Sequence, residues 1–314
     1  MTDTSMADIP LSGRSAAAEP RSEVALLGTG IMGSAMARNL LAAGLRTTVW
    51  NRSDQAIAPL ADAGALVAAS PRDAVGDAPV VITMLPTADA VESVMFTGGV
   101  AEAFARDAVW AQMGTIGVTA TTAFARLLGR LRPDVQFVDA PVSGSKGPAE
   151  AGRLLILASG PPTAEPIVRP AFSAMGGKTV WLGPAGQGSR MKLVVNAYLA
   201  TLIEGVAEAV ELATRLGIDP AGLARVIDGG PLAAPITEAK LGKMRSGDFA
   251  PEFPLEWALK DVDLAREAAV GDPLPLLDAL SRQWRVAVAA GHGREDVSAA
   301  RLALGAAGTT LNEQ

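Results

Sequence analysis

Short apolar runs rich in β-branched residues alternate with Ala- and Leu-rich segments of helical length between Glu23 and Leu182. The apolar runs are Val24–Leu27, Thr47–Trp50, Val80–Met84, Ala108–Gln112, Val135–Val138, Leu154–Ala158 and Thr179–Leu182. The helical segments between them include Ser34–Ala43, Ala88–Met95 and Ala120–Arg130. This alternation predicts an α/β domain in which helices cover a mainly parallel sheet.

The sequence changes character after Gly183. Residues 189–216 contain no proline and one glycine, which predicts a single helix of ~40 Å at 1.5 Å per residue. Gly217 is the predicted stop. Further helical stretches follow at Ala221–Ile227, Pro235–Met244, Pro254–Ala269, Leu274–Ala290 and Val297–Leu304. No strand pattern follows Leu182, so we predict an all-helical C-terminal domain.

These patterns predict an α/β domain at 21–185 and a helical domain at 186–314 that begins with the long helix. Residues 1–20 are rich in Ser, Thr, Ala, Asp and Pro, which predicts a disordered tail. This tail lacks the basic start and the apolar core of a signal peptide. We therefore expect a cytoplasmic protein.

The composition excludes several kinds of site. The chain holds 27 basic and 33 acidic residues, and an acidic chain lacks the basic face that a general nucleic-acid binder needs. It has no cysteine and one histidine, His292, which excludes disulfides, a cysteine nucleophile and thiolate or multi-histidine metal sites. No uninterrupted apolar run reaches the ~20 residues that span a bilayer. We expect no nucleic acid, metal or membrane partner.

A glycine-rich turn follows the first predicted strand. Val24–Leu27 leads into Gly28-Thr-Gly30-Ile-Met-Gly33 and then into a helical segment. In such a strand–turn–helix unit the first glycine permits the tight turn and the second lets the backbone approach a pyrophosphate. The third glycine allows close packing of helix on strand. Free N–H groups at the helix N-terminus bind the phosphates, so the sequence predicts a dinucleotide site in a Rossmann domain.

The end of the second predicted strand indicates which dinucleotide binds. An NAD enzyme usually has Asp or Glu there to bind the ribose 2′-OH, but this chain has Asn51, Arg52 and Ser53. With no carboxylate to repel it, a 2′-phosphate can pair with the Arg52 guanidinium and accept a hydrogen bond from the Ser53 hydroxyl. We predict NADP(H). In the alternative, Asp54 binds the ribose of NAD(H) and Arg52 is a solvated loop charge.

Two later segments carry a family resemblance. One runs from Asp139 to Glu150, DAPVSGSKGPAE, and the other runs from Gly186 to Asn196, GQGSRMKLVVN. Together with the glycine turn they resemble the β-hydroxyacid dehydrogenase family over residues 22–305. That family includes 3-hydroxyisobutyrate dehydrogenases, tartronate semialdehyde reductases and glyoxylate/succinic semialdehyde reductases. The sequence SGSKGPAE at residues 143–150 is most similar to the last of these branches.

Lys192 and Asn196 are the candidate catalytic residues. They lie one turn apart on the same face of the predicted helix. A lysine side chain, with a reference pKa of ~10.4, is charged at neutral pH. Lys192 can therefore polarise a carbonyl group and donate a proton to the developing alkoxide, while the Asn196 amide orients the lysine or the substrate. The resemblance assigns catalysis to this lysine.

Ser143, Gly144 and Ser145 form the candidate substrate-binding turn. A glycine-containing turn can present several backbone N–H groups to an anion, and the Ser143 hydroxyl adds a donor. Lys146 adds positive charge nearby. The resemblance assigns this segment to the substrate carboxylate, so we expect a small, carboxylate-bearing substrate.

The resemblance agrees with the contacts predicted from the glycine turn and implies further ones. For the cofactor, it implies contacts from Gly28, Gly30, Ile31, Met32, Gly33, Leu85, Pro86, Thr115 and Lys260. For the substrate, it implies contacts from Thr115, Phe253 and Asp261. The chain departs from the family pattern at Gly114, where a serine is usual, and at Gln112, where an aspartate is usual.

Together these observations predict an NADPH-dependent reductase of a short aldehyde-acid, of the glyoxylate or succinic semialdehyde type, with Lys192 as proton donor. The alternatives within the family are an NAD(P)-dependent 3-hydroxyisobutyrate dehydrogenase and a tartronate semialdehyde reductase. An imine reductase, with Asp or Tyr in place of Lys192, and a non-enzymatic dinucleotide-binding scaffold that lacks the lysine are disfavoured. Because a long, mainly apolar helix cannot be buried all round in one small bundle, we expect a homodimer or homotetramer.

Overall fold

A six-stranded parallel sheet forms the centre of the N-terminal half of the computed structural model, which describes residues 23–271 and 273–306. Its strands are β1 (Val24–Leu27), β2 (Thr47–Trp50), β3 (Leu66–Val67), β4 (Val80–Thr83), β5 (Val109–Gln112) and β6 (Gln136–Asp139). They lie in the order β3-β2-β1-β4-β5-β6. The predicted Rossmann architecture is confirmed, although the two-residue β3 was not predicted. The tail predicted at residues 1–20 lies outside the described residues.

Helices cover both faces of this sheet. They are α1 (Ile31–Ala42), α2 (Ala58–Ala61), α3 (Pro71–Val75), α4 (Ala88–Glu92), α5 (Val118–Leu131), α6 (Lys146–Glu150) and α7 (Glu165–Met175). Successive strand side chains alternate between the faces, so Leu26 and Leu27 lie in two different hydrophobic cores. The α-helical part of the segment predicted at residues 88–95 ends at Glu92, and a π-helical stretch continues over Ser93–Thr97.

A second, three-stranded sheet follows the main sheet. Its strands are β7 (Val142–Ser143), β8 (Leu154–Ala158) and β9 (Gly176–Trp181). Strand β8 pairs antiparallel with β7 and parallel with β9. The sequence analysis did not predict this sheet. Strand β7 starts three residues after β6 ends. So short a link cannot make the crossover that a parallel pair of β6 and β7 would require, and β7 therefore pairs with β8 outside the main sheet.

In the described chain after Trp181, regular structure is helical, apart from one isolated antiparallel bridge between Pro254 and Asp296. The α-helices are α8 (Gln187–Arg215), α9 (Pro220–Ile227), α10 (Pro235–Ser246), α11 (Leu255–Ala268), α12 (Pro275–Ala289) and α13 (Leu302–Ala306). Gly217, with φ +71°, follows α8 in the left-handed conformation that often ends helices. The segment predicted at residues 297–304 is a 3₁₀ turn over Val297–Arg301, followed by α13.

Helix α8 is apolar on its exposed side as well as in the core. Ile203 and Val210 pack against Trp284 in the core of the helical half. Val194 and Tyr198, by contrast, are about two-thirds exposed, at 65% and 67%. Among the described residues, α8 is the one helix that is long and apolar enough to cross a membrane by length and composition alone, and 44% of its most apolar window is buried.

Candidate active site

Of the three glycines in the turn between β1 and α1, two are crowded by backbone atoms and one, Gly30, faces open space. Gly28 has φ +102°, and a Cβ atom on it would approach the Met84 carbonyl oxygen to 2.5 Å. At Gly33 a Cβ atom would collide with the Gly28 carbonyl group. Around Gly30, by contrast, no atom lies within 4 Å of the Cβ position. The turn therefore offers space at the N-terminus of α1 that fits a pyrophosphate.

Asn51 forms the wall next to this turn. Its Oδ1 accepts a hydrogen bond from the Thr29 N–H at 3.1 Å, and its Nδ2 donates to the Ser53 carbonyl oxygen at 3.1 Å. Arg52 and Ser53 are exposed beside it. The end of β2 thus presents a neutral amide and an exposed guanidinium. The side chain of Asp54, the alternative ribose ligand, lies outside the described part of the chain.

The loops after β4 and β5 touch at Gly114. A Cβ atom on Gly114 would collide with the Leu85 carbonyl oxygen. The buried Gln112 side chain clamps the glycine: its Nε2 donates to the Gly114 carbonyl at 2.7 Å, and its Oε1 accepts from the Gly114 N–H at 3.0 Å. The two departures from the family pattern are therefore complementary. The glutamine satisfies the glycine backbone, and the glycine lets the loops touch.

Lys260 on α11 ties both of these loops to the helical half. Its ammonium group donates hydrogen bonds to the Pro86 carbonyl oxygen at 3.0 Å and to the Thr115 carbonyl oxygen. It also lies 3.0 Å from Asp261 Oδ1. The structure thus brings together four of the residues expected around the cofactor or substrate: Pro86, Thr115, Lys260 and Asp261.

A buried carboxylate from the main sheet holds the N-terminus of α8. Asp139 ends β6 and has no exposed surface. Its Oδ2 accepts hydrogen bonds from the Gly186 N–H at 3.1 Å and the Ser189 N–H at 2.8 Å, and its Oδ1 accepts from the Ser189 hydroxyl at 2.7 Å. Burial raises the pKa of the Asp139 carboxyl, and these hydrogen bonds oppose the rise. A carboxylate at this end also complements the helix dipole.

Lys192 lies one turn after this capped end and is 8% exposed. Burial lowers the pKa of Lys192 from 10.5 to about 8, the Asp261 carboxylate opposes the decrease, and the Lys260 ammonium adds to it. Among the described residues its ammonium group has no hydrogen-bond or ion-pair partner. A buried lysine whose pKa is close to neutral is suited to proton exchange with a ligand.

Asn196 lies on the same face of α8 as Lys192, and a hydrogen bond from its side chain joins this face to α11. Its Nδ2 donates a hydrogen bond to Asp261 Oδ2 at 2.6 Å, and both side chains are buried. Asn196 Oδ1 is buried and accepts no hydrogen bond from the described residues. An unpaired buried acceptor is costly unless a ligand satisfies it. The amide thus retains an oxygen that can hold a ligand or the lysine.

The candidate carboxylate-binding turn lies between β7 and α6. Ser143 ends β7, and Gly144 follows with φ +131°. Ser145 is the residue before α6, and its side chain makes no capping hydrogen bond. The Lys146 ammonium lies 3.9 Å from Glu150 at the surface. Among the described residues, no hydrogen bond joins the side chains of this turn to Lys192. Asp139, four residues before Ser143, binds the start of the helix that carries the lysine.

Phe253 lies in a different environment from these polar groups. It packs, partly buried, against the core of the helical half. Its N–H donates a hydrogen bond to Asp296 Oδ2 at 3.3 Å, and Asp296 forms a buried ion pair with Lys240 at 2.9 Å. A buried ion pair thus fixes the Phe253 backbone.

Sequence reasoning missed the structural role of Asp139 and Ser189. The sequence patterns place Asp139 at the start of a motif and indicate no function for it. A carboxylate at the end of a predicted strand is a recognisable signal. Its partner, however, lies 50 residues further along the chain, and only the folded arrangement of β6 and α8 brings the two together.

Two family models match the chain. The model described as the NAD binding domain of 6-phosphogluconate dehydrogenase matches residues 23–183. The model described as the NAD-binding domain of NADP-dependent 3-hydroxyisobutyrate dehydrogenase matches residues 186–304. The cofactor is therefore a nicotinamide dinucleotide.

Named relatives agree with these models. The chain is 35% identical over 283 residues to glyoxylate/succinic semialdehyde reductase 1 of Arabidopsis thaliana, covering 88% of this chain and 96% of the relative. It is 36% identical over 289 residues to 3-sulfolactaldehyde reductase of Escherichia coli, covering 88% and 93%. The solved structure of a 3-hydroxyisobutyrate dehydrogenase from Salmonella typhimurium superposes with a TM-score of 0.82 at 29% identity, covering 90% and 99%. The chain therefore belongs to the 3-hydroxyisobutyrate dehydrogenase-like family of NAD(P)-dependent hydroxyacid dehydrogenases, and it is an oxidoreductase.

Proposed function

We propose that this enzyme uses NADPH to reduce a short aldehyde that carries a carboxylate, of the glyoxylate or succinic semialdehyde type, to the corresponding hydroxy acid. The observation that carries the proposal is Lys192, a buried ammonium with a pKa of about 8 and no partner among the described residues. Reduction of a carbonyl group requires a proton donor at the developing alkoxide. Two plant relatives with this named activity, 35% and 33% identical, support the substrate class.

NADPH, when bound, supplies the hydride that the carbonyl carbon accepts. The protein supplies the proton and the electrostatic stabilisation. The Lys192 ammonium donates a hydrogen bond to the carbonyl oxygen and then transfers its proton to the alkoxide, which leaves a neutral amine that solvent reprotonates. Asn196, whose Nδ2 is held by Asp261, directs its Oδ1 to the lysine or to the substrate.

The substrate carboxylate is assigned to the turn at Ser143, Gly144 and Ser145. The Ser143 hydroxyl and the backbone N–H groups of the turn are its donors. The start of α8 is unsuitable for this task, since Asp139 already accepts from the Gly186 and Ser189 N–H groups. An aldehyde without an acid group loses these contacts and is expected to bind weakly.

The preference for NADPH over NADH is assigned to the end of β2. Asn51 provides a neutral amide where NAD enzymes usually carry a carboxylate, and its amide is held between Thr29 and Ser53. Arg52 is exposed next to it, and an arginine in this place can pair with the 2′-phosphate.

The enzyme is also proposed to act as a homodimer or homotetramer. Helix α9 buries none of its residues within the chain, and Val226 on it is 81% exposed. Val194 and Tyr198 are exposed on α8. Apolar surface of this kind often marks a protein–protein interface. Light scattering coupled to size exclusion gives the mass directly, and a monomeric mass contradicts this part of the proposal.

A substrate panel tests the central claim. Purified enzyme is assayed for reduction of glyoxylate, succinic semialdehyde and tartronate semialdehyde, and for oxidation of 3-hydroxyisobutyrate, with phosphorylated and unphosphorylated nicotinamide cofactors in parallel. The expected result is the highest kcat/KM with NADPH and one of the first two aldehydes. A higher kcat/KM for 3-hydroxyisobutyrate with NAD⁺ would instead assign an oxidative dehydrogenase.

A further inference from the structure

Asp139 lies close along the chain to the carboxylate-binding turn and is hydrogen-bonded to the start of the helix that carries Lys192. Ser143, in the carboxylate-binding turn, lies four residues after it, and Lys192 lies three residues after its hydrogen-bond partner Ser189. Its main chain is paired with Ser159 in both directions, at 2.9 Å and 2.7 Å. One residue therefore fixes both the segment that leads to the turn and the start of the helix that carries the lysine.

This connection has little freedom to move. The Ser159 hydroxyl donates to Asp139 Oδ2 at 3.1 Å and accepts from the Gly188 N–H at 2.9 Å. A Cβ atom on Gly188 would lie 2.8 Å from the Asp139 carbonyl oxygen. The helix therefore lies too close to the strand at Gly188 to leave room for a side chain. The charged groups that shift the pKa of Lys192 are Asp261 and Lys260, whereas the contacts of Asp139 act on the position of the helix that carries the lysine.

We propose that Asp139 is a positioning residue that sets the separation between the Ser143 turn and the Lys192 ammonium, and thereby selects the spacing of carboxylate and carbonyl group in the substrate. This inference rests on the proposed function. A substrate held at both ends must match a fixed separation, because a misplacement of about 1 Å can lower a rate by ~10²-fold. Glyoxylate carries its carboxylate on the aldehyde carbon, whereas succinic semialdehyde has two methylene groups between the groups, so this pair compares two lengths.

Two substitutions at the same position separate geometry from charge. Asp139→Asn removes the charge but keeps the connection. The amide oxygen accepts from the backbone N–H groups, and the amide nitrogen donates to Ser189 Oγ, whose own proton then goes to Thr121 Oγ1, 3.0 Å away. Asp139→Ala removes every hydrogen bond of the side chain and frees the start of α8 from β6.

The measured quantity is the ratio of kcat/KM for glyoxylate to kcat/KM for succinic semialdehyde, with saturating NADPH. A melting temperature is recorded for each variant. The matched control is Asp219→Ala, which removes another aspartate that caps a helix, through the Ala221 N–H at 2.8 Å. If Asp139→Ala does not fold, Ser189→Ala replaces it, because this change removes the hydroxyl bond and keeps the backbone bond.

We expect the wild-type ratio to differ from one by more than about tenfold and the Asp139→Ala ratio to move toward one by at least about fivefold. Asp139→Asn, which keeps the buried hydrogen bonds, and Asp219→Ala, which changes an exposed helix cap, are each expected to keep the wild-type ratio within about twofold. An unchanged ratio in Asp139→Ala with a lowered melting temperature overturns the inference and leaves Asp139 with a structural role. A wild-type ratio close to one also overturns it.

Failure of the proposed function gives a different result. In that case the wild-type enzyme itself reduces neither aldehyde, and the substrate-length inference is overturned together with the function. An active wild-type enzyme whose ratio is insensitive to Asp139→Ala contradicts the inference alone.

Discussion

Asn196 Nδ2 donates a 2.6 Å hydrogen bond to Asp261 Oδ2 and so fixes the polar face of α8 to α11. The same carboxylate lies 3.0 Å from the Lys260 ammonium, which in turn binds carbonyl groups of the loops after β4 and β5. Lys192, one turn before Asn196, therefore lies in a field set by an anion and a cation on adjacent residues. Asp261 raises the pKa of Lys192, and Lys260 lowers it.

Substitution of these two neighbours is expected to shift the pH dependence of reduction in opposite directions. Reduction needs the charged form of Lys192, so kcat falls as pH rises through its pKa of about 8. Asp261→Asn removes the charge that favours the ammonium, and the falling limb moves to lower pH. Lys260→Met removes a like charge, and the limb moves to higher pH.

Profiles of kcat against pH, measured at saturating substrate and cofactor, test this prediction. Lys178→Met, which neutralises an exposed lysine on β9, is the control and should leave the profile in place. Shifts of both variants in the same direction would show that Lys192 does not generate the limb. Lys260→Met should also raise the KM for the cofactor, because it releases the two loops.

Arg52→Ala is expected to weaken NADPH selectively. A desolvated arginine–phosphate contact contributes ~1.5–3 kcal/mol, which corresponds to a ~10–150-fold increase in the KM for NADPH. The KM for NADH should change little, because that cofactor has no 2′-phosphate. Steady-state assays with both cofactors measure the two values, with Arg130→Ala, on the exposed side of α5, as the control. Equal losses with both cofactors, or a wild-type preference for NADH, contradict the assignment.

Ser143→Ala is expected to affect only substrates that carry an acid group. Loss of one hydrogen bond to a charged group costs ~1.5–3 kcal/mol, so the KM for succinic semialdehyde should rise by about tenfold or more. The activity with butanal, a neutral aldehyde of the same length, should remain low and unchanged. Thr163→Ala, which removes an exposed hydroxyl that donates to Gln136, serves as the control. Efficient turnover of butanal by the wild-type enzyme would show that no carboxylate is bound in this turn.

Local sequence patterns were sufficient to predict the elements that depend on neighbouring residues. The glycine turn at Gly28 and the helix that ends before Gly217 follow from backbone rules that act over a few residues, and both agree with the structure. The second sheet and the cap from Asp139 could not be predicted in this way. They depend on where β6 ends relative to α8, and that position is determined by packing of the whole sheet.

Gly114→Ser is a further test of an arrangement that the sequence showed only as a departure from the family. The substitution restores the usual serine, yet its Cβ atom would collide with the Leu85 carbonyl oxygen. Overpacking against a backbone group destabilises proteins by about 1–3 kcal/mol, so the melting temperature and the affinity for NADPH should both fall. Gly129→Ser, at an exposed position of α5 with no atom within 4 Å of the Cβ position, is the control. An unchanged melting temperature would show that the loops after β4 and β5 move apart at little cost.

Lys192→Ala is expected to abolish proton transfer while cofactor binding remains. General acid catalysis contributes ~10²–10⁴-fold, and no other lysine is positioned on this face of α8, so kcat should fall by at least about a hundredfold. Lys192→Arg should fail as well, because a guanidinium holds its proton too tightly to donate it. The Kd for NADPH should stay near the wild-type value, since the glycine turn and Arg52 lie in the other half of the chain.

Two measurements on the same preparation separate the possible roles of Lys192. Fluorescence titration gives the Kd for NADPH, and single-turnover stopped flow gives the rate of NADPH oxidation. A normal Kd with a slow turnover identifies Lys192 as the proton donor, and the pH limb near 8 should then disappear in Lys192→Ala. Near-normal turnover would remove the central residue of the proposed mechanism. A large loss of NADPH affinity would instead assign Lys192 to cofactor binding or to the structure of the cofactor site.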